Sequence, residues 1–265
     1  MSLSSRSRQI SIVLPCFNEA RRLPGTLDEV IEFCRREFEQ FEIIVVDDGS
    51  SDDTLRAAQF RDEVRTIANG VNRGKGEAVR RGMLAARLDP VLFSDADLST
   101  PIAEAMGLLG ALEAGADIAI ADRRARGEKI VRRTLVRRVV AWTFRRFVRL
   151  VALRGIDDTQ CGFKMFRRDV AHRIFPMQKL GGWAFDVELL FLAQRLGYRI
   201  VSVPVEWHES EESRLTIWSP LQMALDVLKI RCLHRGLSRR RQTAASEREA
   251  LARAASAGGG ERPDP

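Results

Sequence analysis

The sequence predicts an α/β fold, a mainly parallel, Rossmann-like sheet flanked by helices, and three observations carry that expectation. Short β-branched runs alternate with stretches of helical periodicity at short loop lengths. The runs Glu42–Val46 and Val91–Phe93 are almost wholly apolar, as expected for strands covered on both faces. Both then end in carboxylates, Asp47-Asp48 and Asp95-Ala96-Asp97, which sets hard oxygen ligands at the carboxyl edge of the sheet. That edge is where α/β proteins bind nucleotides and phosphates.

The elements follow in order. Ile10–Leu14 is a β-branched run closed by Pro15, and Leu23 to Phe38 places Leu27, Val30, Ile31, Cys34 and Phe38 at helical spacing. After the strand Glu42–Val46, Ser51 or Asp52 is suited to cap a helix. Val64–Ala68 reads as a weaker strand, followed by the loop Asn69–Gly76 and a helix to about Leu88. Val91–Ser94 carries the Asp-x-Asp motif, Pro101 suits the start of another helix, and Asp117–Ala121 is a further strand. From Ile130 to Leu153 the chain predicts an amphipathic, strongly basic helix, with Val136, Val139, Val140, Phe147 and Leu150 on one face and Arg138, Arg145 and Arg149 roughly opposite. A polar turn is expected over Asp157–Lys164, then a helix Phe185–Leu196 and a strand Tyr198–Trp207. A last helix runs from Ser219 and Pro220 to a stop at Gly236. Residues 1–9 are expected to be flexible, residues 10–236 to form one domain, and residues 237–265, poor in large apolar side chains, to be a disordered tail.

Composition narrows the class. The formal net charge is +7, and the basic excess is almost all arginine, which suits phosphate, anionic membrane surface or nucleic acid. Cys16, Cys34, Cys161 and Cys232 form no C-x-x-C pair, so neither a zinc site nor a disulfide framework is expected, and reduced thiols in a cytoplasmic protein are. No run approaches the length of a membrane-spanning helix. His172, His208 and His234 have no mutual spacing for a metal or a catalytic dyad, and each is expected to be a surface or satisfied histidine.

Several constellations carry chemistry. Asp95 and Asp97 lie on one side of an extended backbone, so both can face a divalent cation whose other ligands are phosphate oxygens and water. Alone, the motif is equally compatible with a solvated strand-end turn. Asp47-Asp48-Gly49-Ser50 has the same form, and a carboxylate there can accept from a base N–H, although a plain β-to-α turn explains it as well. Gly70 to Gly76 is one residue short of a P-loop and lacks its hydroxyl, and G-x-G-x-x-G is absent, which argues against an NTPase and a dehydrogenase. The basic loop with Lys75 still suits a position near phosphate. Arg123, Arg124, Arg132 and Arg133 are able to grip phosphates bidentately or to lie on anionic lipid.

The motifs gain force by occurring together and in order. Leu14-Pro15-Cys16-Phe17-Asn18-Glu19, Val45 to Asp52, Asn72 to Gly76 and Asp95-Ala96-Asp97 resemble the family-2 glycosyltransferases with a GT-A fold. Asp157 to Lys164 and Trp183 to Leu190 are similar, more specifically, to the dolichyl-phosphate β-glucosyltransferase branch. The resemblance implies a GT-A nucleotide-diphospho-sugar transferase fold with C-terminal amphipathic helices. The implied reaction is inverting transfer of a hexose, glucose from UDP-glucose first, to a polyprenyl, dolichyl-type phosphate. By the same resemblance Pro15, Phe17, Glu19, Asp47, Asp48, Lys75, Asp95, Ala96 and Arg123 hold the nucleotide sugar, and Asp95 and Asp97 hold Mg²⁺ or Mn²⁺. Asp97, Asp186 and Arg124 serve the reaction, while Arg132, Arg133, Gln160 and Lys164 meet the acceptor. Asp122 replaces the family's usual serine, so either Arg123 or Arg124 faces the diphosphate.

Transfer to a phosphate acceptor needs no strong base, because the acceptor is already anionic; the departing diphosphate is the main problem. The expected partners are the nucleotide sugar, the lipid acceptor and the cytoplasmic face of a membrane, reached peripherally through the helices near 130–153 and 221–233. Alternatives are a GDP-mannose donor, a soluble phosphorylated or hydroxyl acceptor, and a sugar-nucleotide binder without turnover. Nucleic acid is not expected, since strand-end carboxylates repel its backbone and no recognition motif accompanies the arginines.

Overall fold

The computed structural model describes residues 8–123, 155–208 and 219–237. The basic helix expected over 130–153, the 237–265 tail beyond Leu237, all but two residues of the 1–9 terminus, and Arg124, Arg132 and Arg133 lie outside them.

The chain runs β1 (Gln9–Cys16), α1 (Leu23–Glu37), β2 (Gln40–Asp47), α2 (Thr54–Gln59), β3 (Val64–Ala68), α3 (Lys75–Ala85), β4 (Val91–Ser94), α4 (Ala105–Glu113) and β5 (Ile118–Asp122). After residue 155 come β6 (Phe163–Phe166), α5 (Arg168–Ile174), α6 (Phe185–Leu196), β7 (Ile200–Pro204) and α7 (Ser219–Leu233). Among the described residues the strands form one seven-stranded sheet in the order β3-β2-β1-β4-β6-β5-β7. Every adjacent pair is parallel except those made by β6, which runs antiparallel to both β4 and β5.

Alternation along the strands divides the core between the two faces of the sheet, as period-2 side-chain geometry requires. Val13, Ile44, Val46, Phe93 and Phe166 meet α3, α5 and α6 through Val79, Met83, Ile174, Phe185 and Leu189. Ile12, Leu14, Ile43, Val45, Leu92 and Met165 meet α1 and α4 through Leu27, Val30, Leu108 and Leu112. On α1, Leu23, Leu27, Val30, Ile31 and Cys34 form the inner stripe, and Arg35 and Arg36 stand in the last turn, favoured by the helix dipole.

Three expectations are corrected, and one helix was not anticipated. The polar turn expected over Asp157–Lys164 gives way at Phe163 to β6, whose four residues are all buried. Helix α5 was not signalled by any motif. Helix α3 stops at Ala85 rather than Leu88, because the Arg87 and Leu88 amides turn to Glu42 Oε1 and Leu88 N also meets Ser11 Oγ (3.0 Å). The strand expected over Tyr198–Trp207 is confined to Ile200–Pro204, the stretch that pairs with β5. Helix α6 has the predicted bounds, and its terminating Gly197 is left-handed (φ 85°), as a helix C-terminus favours.

The sheet order places the function. From β1 the chain steps outward to β2 and β3, then returns to the other side of β1 as β4. The crevice beyond the carboxyl ends of β1 and β4 is therefore a topological switch point, where open α/β sheets bind ligands. The loops after Cys16, Asp47, Ala68 and Ser94 all leave this edge.

Candidate active site

The β1 and β2 loops are tied to one another. Asn18, in the left-handed region (φ 55°), donates its N–H to Ser50 Oγ (2.9 Å) and accepts from Ser51 N at Oδ1 (2.8 Å). Glu19 N donates to Thr54 Oγ1 (2.8 Å) and Ala20 N to Asp52 Oδ2 (3.1 Å). Asp52 also accepts from Thr54 N (3.1 Å), but the N-cap position of α2 is held by Asp53 and not by Ser51 or Asp52 as expected, and no side chain caps the helix. Pro15 faces Val46 in the sheet register, Phe17 is half-buried in the loop beyond, and the Asp47 carboxylate accepts from Ser50 N (3.3 Å).

Asp48 organises the next loop. Its buried carboxylate accepts from Asn69 Nδ2 (2.6 Å), Arg73 N (3.0 Å) and Gly74 N (2.8 Å). Gly49 permits this approach: its φ is +76°, and a Cβ there would lie 2.5 Å from the Val71 carbonyl carbon. The Gly76 amide is also engaged, donating to Gly181 O (2.8 Å). Gly74 N and Gly76 N are therefore not offered to phosphate, and the loop presents the Lys75 ammonium instead.

Lys75 sits between carboxylates. Its Nζ pairs with Asp95 Oδ1 and lies 5.5 Å from the centroid of the Trp183 ring. Burial alone would lower the Lys75 pKa, but Asp95, Asp186 and Asp97 outweigh it and hold the ammonium above the ordinary lysine value. Asp95 leaves β4 with its N–H on Gly162 O (3.1 Å), and Gly162 is so close that a Cβ there would stand 2.1 Å from the Asp95 carboxylate. Asp97 accepts from Ser99 N (3.0 Å), and the intervening Ala96 carbonyl accepts from Thr26 Oγ1 (2.7 Å), tying the motif to α1.

On the far side, β6 contributes Lys164. This lysine is completely buried, donates to Cys161 O (2.6 Å) and Asp186 Oδ1, and lies 5.3 Å from the Phe93 ring centroid. Burial raises the Asp186 pKa above the carboxylate norm, with Lys164 and Lys75 drawing it back. Arg123, at the end of β5, is held bidentately by Asp158 (2.7 and 2.8 Å) and lies over the Trp207 ring. Burial would raise the Asp158 pKa, yet Arg123 keeps it below the ordinary value.

Asp95 is thus paired with Lys75 and Asp186 with Lys164, two ion pairs whose charges act on one another, with Asp97 on the same strand-end loop as Asp95. Asp48 and Arg123 are each committed to a protein partner, Asp48 to the loop it folds and Arg123 to Asp158. Gln160 is half-buried in the segment leading to β6. Three contributors were given no role in the sequence reading, although Trp183 and Glu188 lie in the segment that carries the resemblance. Trp183, about half exposed, forms the rim beside Lys75. Gly181 abuts Gly74 and Gly76, and Glu188 lies fully buried behind them. The signal for Glu188 was a charge inside the otherwise apolar stretch Val187–Ala193.

Among the described residues no three His, Cys, Asp or Glu side chains cluster as a metal cage. The two carboxylates of the β4 loop nevertheless fit a hard cation that draws its remaining ligands from a diphosphate.

Residues 11–175 match the family described as Glycosyl transferase family 2. The chain belongs to that family. It is 39% identical over 247 residues to the dolichyl-phosphate beta-glucosyltransferase of Homo sapiens, covering 86% of this chain and 76% of that one. The enzyme of the same name from Drosophila melanogaster is 40% identical over 245 residues, covering 85% and 75%. Among solved structures, glucosyl-3-phosphoglycerate synthase from Mycobacterium tuberculosis, crystallised with Mn²⁺ and UDP-glucose, superposes with a TM-score of 0.63 at 23% identity, over 84% of this chain and 77% of that one. Mannosyl-3-phosphoglycerate synthase from Rubrobacter xylanophilus gives 0.62 at 21% identity, over 97% and 79%. These neighbours share the GT-A fold, and the chain is a family-2 hexosyltransferase with that fold.

Proposed function

We propose that this glycosyltransferase moves glucose from UDP-glucose to a polyprenyl, dolichyl-type phosphate, with inversion, at the cytoplasmic face of a membrane that it meets peripherally. The observation that carries the reading is the joining of Lys75 to the Asp95-Ala96-Asp97 loop at the sheet's switch point. The names of its relatives supply the glucosyl group and the dolichyl-phosphate acceptor, and UDP-glucose is the donor with which the glucosyl-3-phosphoglycerate synthase of the same fold was crystallised.

Negative charge grows on the diphosphate as the anomeric bond breaks, so groups fixed in advance near that charge lower the barrier most. Asp95 and Asp97 would hold Mg²⁺ or Mn²⁺, which would neutralise the leaving diphosphate. Lys75, paired with Asp95, would carry its ammonium beside the diphosphate. Asp48, through the loop it folds, keeps Lys75 at this position. Asp186 receives the acceptor side: paired with Lys164, it is placed to orient the acceptor phosphate or the sugar rather than to remove a proton, since that phosphate is anionic already. Arg123, held by Asp158, would add positive charge toward the diphosphate without approaching it closely.

Among the described residues no helix is long and apolar enough to cross a membrane. Helix α7 exposes Leu225, Leu228 and Leu233 to about half their area, with Arg231 and Arg235 exposed beside them; its apolar residues are not gathered on one face, contrary to the amphipathic helix expected here, so membrane contact would rest on these exposed leucines and arginines and not on an amphipathic stripe. The test is direct. Asp97→Asn should abolish glucose transfer to a polyprenyl phosphate while leaving the protein folded, and UDP-glucose should raise the parent's melting temperature only with Mn²⁺ or Mg²⁺ present. Equal transfer rates for variant and parent, or a shift with GDP-mannose alone, would overturn the reading.

A further inference from the structure

The transfer chemistry makes no use of Glu188, yet this carboxylate is wholly buried in the first turn of α6. Removing a carboxylate from water is costly unless donors replace the lost hydration. Three do so here. Lys179 N donates to Oε1 (2.9 Å), Leu180 N donates to Oε2 (2.9 Å), and His234 Nε2, just beyond α7, meets Oε1 at 2.7 Å. The two amides belong to consecutive residues, so the carboxylate clasps a single turn of chain and brings it to α7.

That turn leads straight to the donor side. Gly181 follows it and accepts from Gly76 N (2.8 Å), while Gln178, just before it, donates through Nε2 to Gly76 O (2.9 Å). Residues 178–181 therefore hold the backbone of Gly76 from both sides. Lys75 is the next residue, paired with Asp95 and lying over Trp183. The segments in contact contain Gly74, Gly76, Gly181 and Gly182, a backbone with little conformational preference of its own. Its position has to be imposed from outside.

We propose that Glu188 is a positioning residue: with His234 it forms a strut that holds the Lys75 loop in its donor-binding geometry and links that loop to α7. The inference rests on the donor-site reading given above and extends it, because α7 is also the helix with the exposed leucines. Whatever displaces α7 is then felt at Lys75 through His234, Glu188 and the Lys179–Gly181 turn.

Glu188→Gln tests the strut, since an amide offers one acceptor oxygen where two backbone amides need one each. Hydrogen exchange should quicken in peptides spanning 176–182 and 72–78 and stay at the parent rate in α1, whereas a general loss of stability would quicken all three. KM for UDP-glucose should rise about three- to ten-fold, the worth of one lost hydrogen bond, with kcat held within about two-fold. His234→Leu should give a smaller effect of the same pattern, and His234→Gln, which keeps a donor, should restore most of it. A folded Glu188→Gln protein with parental exchange in both loop peptides overturns the proposal, as does a uniform rise that includes α1. If Glu188→Gln fails to fold, parental loop exchange in His234→Leu overturns it equally. A parent protein that does not turn over UDP-glucose sinks the donor reading alone, and the exchange measurements still decide the strut.

Discussion

At the scale of single residues, the site is built from charges that are paired before any substrate arrives. Lys164 is the extreme case, an ammonium with no exposure that is sustained by Asp186, a carbonyl and the face of Phe93. Arg123 and Asp158 are a second such pair, and it has a measurable acid signature. The Asp158 pKa in the folded chain lies below the ordinary 3.8, so the pair's contribution is fully present above that pH and is lost as pH falls through the folded value. Asp158→Asn should therefore destabilise the protein by about 2–3 kcal/mol at neutral pH, allowing for the partial exposure of Arg123. Chemical denaturation of parent and variant as pH is lowered from 7 should show that difference shrinking only below 3.8. A difference independent of pH would mean that the pair is not what stabilises this segment.

At the scale of elements, the decisive contact is between the end of β4 and the start of β6. Asp95 N donates to Gly162 O, and the Asp95 carboxylate occupies the space that a side chain at 162 would take. Gly162→Ala would meet the movable end of a side chain, not backbone, so the fold should survive while the carboxylate is pushed aside. We expect a melting temperature within a few degrees of the parent and a loss of transfer of about 100-fold, the usual result of misplacing a reacting group by about 1 Å. A Gly162→Ala enzyme with parental kcat/KM would show that the Asp95 position does not matter. Gly49 differs, because the atoms crowding it belong to the Val71 and Asn72 backbone. Substitution there should unfold the 69–76 loop rather than only shift it.

At the scale of the whole molecule, the sheet puts donor-side loops at the ends of β1, β2, β3 and β4, and β6 brings Lys164 to the same edge from the other direction. Helix α7 packs on α6 through Ile230 and His234 and turns Leu225, Leu228 and Leu233 outward. In a flotation assay at low salt the protein should rise with vesicles containing anionic lipid and remain below with neutral ones. Leu228→Asp should weaken flotation without altering the melting temperature. A protein that ignores anionic vesicles would direct attention to a soluble phosphorylated acceptor.

Much of this was legible in the chain. Runs such as Glu42–Val46 and Val91–Phe93 reveal their strands, and their terminal carboxylates reveal the ligand edge, because strand, turn and motif are local and side-chain alternation leaves few choices. Helix α6 was readable to the residue for the same reason. The four residues of β6 were not: Phe-Lys-Met-Phe has no period of its own, and its strand state comes from pairing with β4 about 70 residues earlier and β5 about 45 earlier. Its lysine made it read as a turn, since nothing nearby in sequence announces Asp186 as the partner.

The sequence by itself determined the α/β class, the order of the motifs and the acids that stand at the carboxyl edge of the sheet, all consequences of periodicity and of chemistry carried within a few residues. Only the tertiary structure decided which charges are spent on holding loops and which face the crevice. Asp48 and Arg123 proved to be committed to protein partners, Lys75 came to lie against Asp95, and Glu188 was found clasping the turn behind it. Those outcomes depend on hydrogen bonds between residues tens of positions apart, and the closing of the chain into one sheet is what brings them within reach.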